Sequence, residues 1–464
     1  MRTPSCALLL ATLLLWIPLW GTPAQAQSAA SKPLELPQFE KESLLNGMEI
    51  LFLPTTREES QFLLMIRNGA AFDPVEKWGS TLLMTRMMLT STEGRTPEQM
   101  RFALNSLNAR IEARVDYDAI YFLGSGPTGR MPEILSLLAD IVIRPAFSEQ
   151  SFEEARAAVL QERRQDAEDP ELRSQELLHA ELFVPNPYGR PLKGTLKSLQ
   201  AITLNDIKIQ YRRLIMPNQA QLAFYHSGER ERTFRALSRS WGSWVGRQAL
   251  PFTFRRAQPV SGGHILLLDS DSDKAVLRWG TLGVAKTDPD YHALKVFEQY
   301  LMLSLPSWAQ EVQSQPHIQG EPQLEARRMP GYLQLSIRCE ADRLTDYFKR
   351  LRAFLKSVSQ GEIDPERLRE AKDLALEDFR SSLREPLTRL QKLLEMSLYE
   401  IGAGYVTTYA LRVDRIDAGR LQAAVKRHVS TDDFVLAVSG PGARLEPKLQ
   451  GLGTVRRVED PSGR

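Results

Sequence analysis

Apolar and polar positions along the chain switch between two periods, and the switches divide the sequence into elements. The pattern predicts strands over 48–53 and 62–67, then helices over 79–89 and 97–107, where apolar residues recur at three- and four-residue spacing. Strands over 110–115 and 119–124 follow, and after them helices over 131–143, 149–167 and 172–183. A helix over 204–214 and a strand over 219–226 close this half. The glycines between Gly124 and Gly129 read as a turn before the 131–143 helix, because no lysine follows at phosphate-loop spacing.

The second half repeats the order. Strands are predicted over 264–269 and 275–282, a helix over 290–304, and strands over 321–326 and 332–338. Helices over 344–358, 365–384, 387–401 and 416–429 lead to a closing strand over 434–439. Laying Phe152 on Leu368 runs without a gap to Pro170 on Pro386, and pairs Glu154 with Glu370, Ala155 with Ala371, Leu160 with Leu376 and Arg164 with Arg380. Proline disfavours a helical residue before it, so both helices should stop at the same place. The charge cluster Glu229-Arg230-Glu231-Arg232 and Pro251 mark 229–258 as the linker between units at 40–228 and 259–445, with a tail at 446–464.

The first residues change the picture of where the chain works. Arg2, an apolar run from Cys6 to Trp20 and Ala24-Gln25-Ala26 read as a signal peptide over 1–26, too short and too interrupted by Pro18 for a membrane span. The exported product is therefore expected in a periplasm, without a span after cleavage. Beyond that leader Cys339 is the only cysteine, which excludes an internal disulfide and a cysteine-rich metal site. With 59 Lys plus Arg against 57 Asp plus Glu, the net charge of +2 offers no case for nucleic acid.

Several segments carry a resemblance to the family of pitrilysin, insulinase and the mitochondrial processing peptidase. They are Asn68-Gly69-Ala70 before Gly79, Ala139-Asp140 followed by Arg144-Pro145-Ala146-Phe147, and the helix from Phe152 to Asp169. Pro187-Tyr188-Gly189 with Gly194-Thr195, the run from Leu199 to Pro217-Asn218, and Asp288-Pro289-Asp290-Tyr291 to Leu294 extend it. The resemblance implies an α+β fold of two homologous domains, each a mainly antiparallel sheet covered by helices, joined by the linker into a clam-shell.

Active members of that family carry His-x-x-Glu-His on the helix opened by this glycine, two histidines holding zinc while the glutamate activates its water. Here Leu82, Thr85 and Arg86 stand at the three positions. The later glutamate ligand corresponds to Glu162, which beside Arg163 and Arg164 reads as a solvated or ion-paired glutamate and a vestige of the site. The family's second-domain arginine and tyrosine fall at Gln310 and His317, near a Trp308 read as a core anchor. His179, His226, His264, His292, His317 and His428 stand singly, none paired at helical i, i+4 spacing. No catalytic residue, bound metal or cofactor is therefore expected, with zinc in a partner only.

The family's peptide-pairing edge strand corresponds to 109–115, where Arg110, Glu112 and Arg114 share one face as candidate substrate-binding residues. An edge merely guarded by charges is the equal alternative. The implied function is a non-catalytic, peptide-binding subunit in a hetero-oligomer with a zinc-motif-bearing paralogue, acting on unstructured peptides. The alternatives are an independent periplasmic binding or envelope-assembly module, and, third, a metallopeptidase with a rebuilt site.

Overall fold

The computed structural model describes residues 34–36, 38–270, 272–313 and 319–458, and the leader predicted over 1–26 lies outside them. Two six-stranded sheets organise the chain. The first holds β1 (Glu40–Ser43), β2 (Glu49–Pro54), β3 (Glu59–Arg67), β4 (Arg110–Val115), β5 (Ala119–Pro127) and β6 (Ala220–His226), in the order β1-β2-β6-β3-β5-β4. The second holds β7 (Gly263–Asp269), β8 (Lys274–Leu282), β9 (Gln319–Glu325), β10 (Tyr332–Glu340), β11 (Phe434–Gly440) and β12 (Thr454–Arg457), in the order β12-β7-β11-β8-β10-β9. Without the outermost β1 and β12 the two orders coincide, each with one parallel pair, β2 with β6 and β7 with β11. The duplication is thus a property of topology as well as of sequence.

It extends to helix ends. Pro170 and Pro386 each occupy the first turn of a 13-residue helix, Pro170–Leu182 and Pro386–Leu398, where the missing proline N–H costs nothing. Asp169 and Glu385 cap these helices by accepting hydrogen bonds from the amides that follow.

Across the inner strands both faces of each sheet are buried, so β2, β3, β6, β7, β8 and β11 read as nearly continuous apolar runs. In the first sheet Ile50, Phe52, Phe62, Leu64 and Phe122 point into a core shared with that half's own helices. Leu51, Leu53, Leu63, Met65 and Tyr121 point the other way, into a core that includes Leu390, Leu394 and Leu398 of the second half. The relation is reciprocal: Leu177, Leu178 and Leu182 pack against Leu266, Leu268, Val435 and Ala437 of the second sheet. Each half therefore lends its proline-initiated helix to cover the other's sheet. Buried polar groups fix the placement. Arg278, its side chain 7% exposed, donates to Glu171 Oε2 at 2.6 Å and to Ser174 Oγ at 3.1 Å, both on the lent helix. On the other side Gln221 Nε2 donates to Ser397 Oγ at 2.8 Å.

Some expectations change. Residues 124–127 continue β5 instead of turning, and Gly124 is required because a Cβ there would lie 2.0 Å from the Arg110 carbonyl oxygen of the neighbouring strand. The helix predicted over 387–401 ends at Leu398, and a break containing Glu400 at φ +57° precedes a separate helix, Gly404–Asp414. The helix predicted over 290–304 runs on as Tyr291–Gln313 through Pro306. Within the expected linker, the helix Arg230–Trp241 delivers Leu237 and Trp241 into the first half's core. The expected tail begins inside the helix Gly442–Leu449 and includes β12.

Because the lent helices tie the halves together, Leu178→Ala should lower stability by about 3 kcal/mol, the typical cost of a buried leucine truncation. It should do so in a single transition. Thermal unfolding followed by circular dichroism and tryptophan fluorescence checks this; separate melting of the two halves would contradict the coupling.

Candidate functional site

The helix Ser80–Thr90 carries the three motif positions, and its start is held by one buried carboxylate. Asp73 accepts hydrogen bonds from Gly79 N at 2.7 Å, Ser80 Oγ at 2.9 Å and Thr81 N at 3.0 Å. Burial raises the Asp73 pKa, and these donors oppose the rise. Gly79 has φ +93°, and a Cβ there would sit 2.7 Å from the Lys193 carbonyl oxygen. Only glycine meets both demands, which presses the helix start against the Lys193-Gly194 turn.

Along this helix Leu82 packs against the core and Thr85 is buried, its hydroxyl donating to the Leu82 carbonyl at 2.9 Å. Arg86 projects toward the helix Glu149–Asp166 and clasps Glu162 with two hydrogen bonds of 2.7 and 2.8 Å. This pair opens a chain of alternating charges. Lys193 Nζ lies 3.8 Å from Glu162 and 2.9 Å from Asp166, while Arg163 bonds Glu176 at 2.6 and 3.0 Å and Asp166 at 3.3 Å. Three cations meet three carboxylates. The Glu162 carboxyl is held below its ordinary value, chiefly by the Arg86 hydrogen bonds.

Beside this helix runs β4, paired only with β5 and forming one end of the sheet. Arg110, Glu112 and Arg114 alternate as exposed residues with the half-buried Ile111, Ala113 and Val115. Asp116 N donates to Ala119 O at the hairpin end, so the ladder parity turns the amides of Ile111, Ala113 and Val115 outward. No group among the described residues bonds them. Arg114 is anchored from the other half: it donates to Gln391 Oε1 at 2.9 Å and stacks 5.0 Å over the Tyr121 ring.

The second half has the counterpart of this edge, and there two of the three outward positions offer no free amide. The ladders equate Ala119 with Tyr332 and hence Arg110, Glu112 and Arg114 with Gln319, Glu321 and Gln323 of β9. Of the outward amides on β9, that of Leu324 donates to buried Glu298 at 2.7 Å, and position 322 is a proline without an N–H.

Residues 52–196 match the family model described as insulinase, peptidase family M16. The chain is similar to this family over that segment. It is 20% identical over 302 residues to a probable mitochondrial-processing peptidase subunit beta of Arabidopsis thaliana, covering 64% of this chain and 56% of that protein. It is 21% identical over 166 residues to an uncharacterized zinc protease of Rickettsia felis, covering 36% and 40%. The chain thus spans about half or less of the length of these relatives. Among solved structures, a peptidase M16 inactive domain from Pseudomonas fluorescens superposes with a TM-score of 0.79 at 17% identity, covering 87% of this chain and 98% of that one. A protease from Helicobacter pylori gives 0.80 at 16%, covering 88% and 100%. These two share the fold.

Set against the zinc motif of that family, the residues at the three positions form a poor zinc site. Leu82 has no donor atom, the Thr85 hydroxyl is spent on a helix carbonyl, and Arg86 brings a permanent cation. Both Glu162 oxygens are taken by that cation. The group of potential metal ligands found among the described residues lies elsewhere, at Asp288, Asp290 and His428, where Arg427 and His428 already pair with Asp290. Trp308 is buried and meets the Phe354 ring edge-on at 5.2 Å. His317 and the Gln310 side chain lie outside the described residues.

Sequence reasoning found the alternation on β4 but not its partners Tyr121 and Gln391, nor the closure of β9, although Pro322 was a readable sign of an edge strand.

A carboxyl held below its ordinary value in the fold contributes stability above its unfolded pKa, and loses it as pH falls through the folded one. Glu162→Gln should therefore cost on the order of 1 kcal/mol or less near neutrality, since the pair is partly solvated. The deficit should vanish well below the ordinary glutamate value of 4.5. Urea unfolding across the acid range measures it.

Proposed function

We propose that this M16 chain is an exported, non-catalytic subunit that binds unstructured peptides for a zinc-bearing paralogue in a periplasmic hetero-oligomer. The observation that carries this reading is the Arg86–Glu162 clasp at the motif positions, lying next to a sheet edge whose outward amides are unbonded. A peptide added as a further strand would satisfy the amides of Ile111, Ala113 and Val115 through main-chain bonds, which are indifferent to most side chains. The closed β9 edge supports a single such site per chain. The bound ion needed for peptide cleavage would come from the partner, across an interface of more than about 1,000 Å².

Two measurements test this. Elemental analysis of the purified protein should find no stoichiometric zinc and peptide digests no chelator-sensitive cleavage; a tightly held zinc with such cleavage would overturn the reading. Ala113→Pro deletes one outward amide without touching the β4–β5 ladder, and the second sheet already holds Pro322 at the equivalent place. The variant should fold normally and lose at least tenfold in affinity for extended peptides, a loss of about 1.4 kcal/mol or more. Unchanged affinity would exclude strand addition at β4. Recovery from native envelopes as a monomer, with no zinc-motif paralogue, would favour the independent binding module.

A further inference from the structure

The open edge and the closed edge differ in charge as well as in hydrogen bonding. At equivalent positions the open strand carries Arg110, Glu112 and Arg114, whereas the closed one carries Gln319, Glu321 and Gln323. The central carboxylate is shared, and the arginines occur only on the strand that keeps all three outward amides unbonded among the described residues. Arg110 and Glu112 make no ion pair or hydrogen bond among the described residues. Arg114 is pre-positioned by Gln391 and Tyr121, so it loses little further freedom on meeting a ligand.

We propose that the β4 edge selects extended peptides bearing acidic, basic and acidic side chains at alternate positions. This rests on strand addition at β4 proposed above. In an added strand, side chains at i, i+2 and i+4 share the face of Arg110, Glu112 and Arg114, directly opposite them. An acidic residue facing each arginine and a basic residue facing Glu112 complete three cross-strand pairs. The charge order on β4 reads the same from either end, so it selects the pattern for parallel and antiparallel addition alike. Glu112 also supplies discrimination, because a uniformly acidic peptide would place like charges across the strand pair.

The test uses labelled nine-residue peptides centred on Asp-Thr-Lys-Thr-Asp, on the reversed Lys-Thr-Asp-Thr-Lys, and on neutral Gln-Thr-Gln-Thr-Gln, with affinities from fluorescence anisotropy. The first should bind about tenfold more tightly than the neutral peptide and the reversed one more weakly than either, given the usual size of cross-strand charge pairs. The preference should shrink at high salt. Arg110→Gln with Arg114→Gln, which gives β4 the side chains of β9, should remove the advantage of the first peptide over the neutral one. Arg110→Glu with Glu112→Lys and Arg114→Glu should invert the order. Equal binding of all three peptides, still abolished by Ala113→Pro, would overturn the charge preference and leave strand addition standing. Binding of none would overturn both.

Discussion

The structure depends on a mutual loan of helices. A six-stranded sheet with apolar residues on both faces must be covered on both, and each half's remaining helices cover one. The second face of each is closed by a helix from the other half, Pro386–Leu398 over the first sheet and Pro170–Leu182 over the second. Neither half has a complete core alone. Leu178 shows how close the fit is: a Cβ at Gly280 of β8 would lie 2.8 Å from its Cδ2 atom. The polar contacts of Glu171 and Ser397 select the register, while the apolar burial supplies the driving force.

The same arrangement builds the candidate site. The lent helix Pro386–Leu398 reaches β4 through Gln391, so the open edge in the first half is shaped partly by the second. On the other side of that edge, Asp73 and the Gly79–Lys193 approach hold the motif helix, and Arg86 is left within reach of Glu162. Where active M16 enzymes need three ligands around a dication, this chain closes the gap with an internal cation and a neutral run of ion pairs. The fold is shared with the M16 structures while an ion pair stands at the motif positions, and the peptide binding proposed for β4 needs a backbone edge and few particular side chains.

Local patterns were read well because their causes are local. Strand 110–115 and helices 131–143, 204–214 and 365–384 fall where the periodicity put them, since a face of apolar side chains, joined at Thr203 and Asp364 by a capping side chain, is local to one element. The short edge strands β1 and β12 were missed: their residues are mostly charged or exposed, and only pairing with β2 and β7 makes them strands. Helix Arg230–Trp241 was hidden by its charge cluster, its buried stripe being only Thr233, Leu237 and Trp241.

By itself the sequence determined the order of the central strands and helices, the duplication and the residue types at Leu82, Thr85 and Arg86, all of which are properties of residues and their spacing. It also determined which face of β4 bears Arg110, Glu112 and Arg114, because a strand alternates with period two. Tertiary structure alone decided that Arg86 meets Glu162, 76 residues away, and that each half borrows a helix. It decided too that β4 stays open while β9 is shut by Glu298. These are contacts between segments distant in sequence, and an apolar stripe or a charged side chain specifies the kind of partner it needs without specifying which one the fold will bring to it.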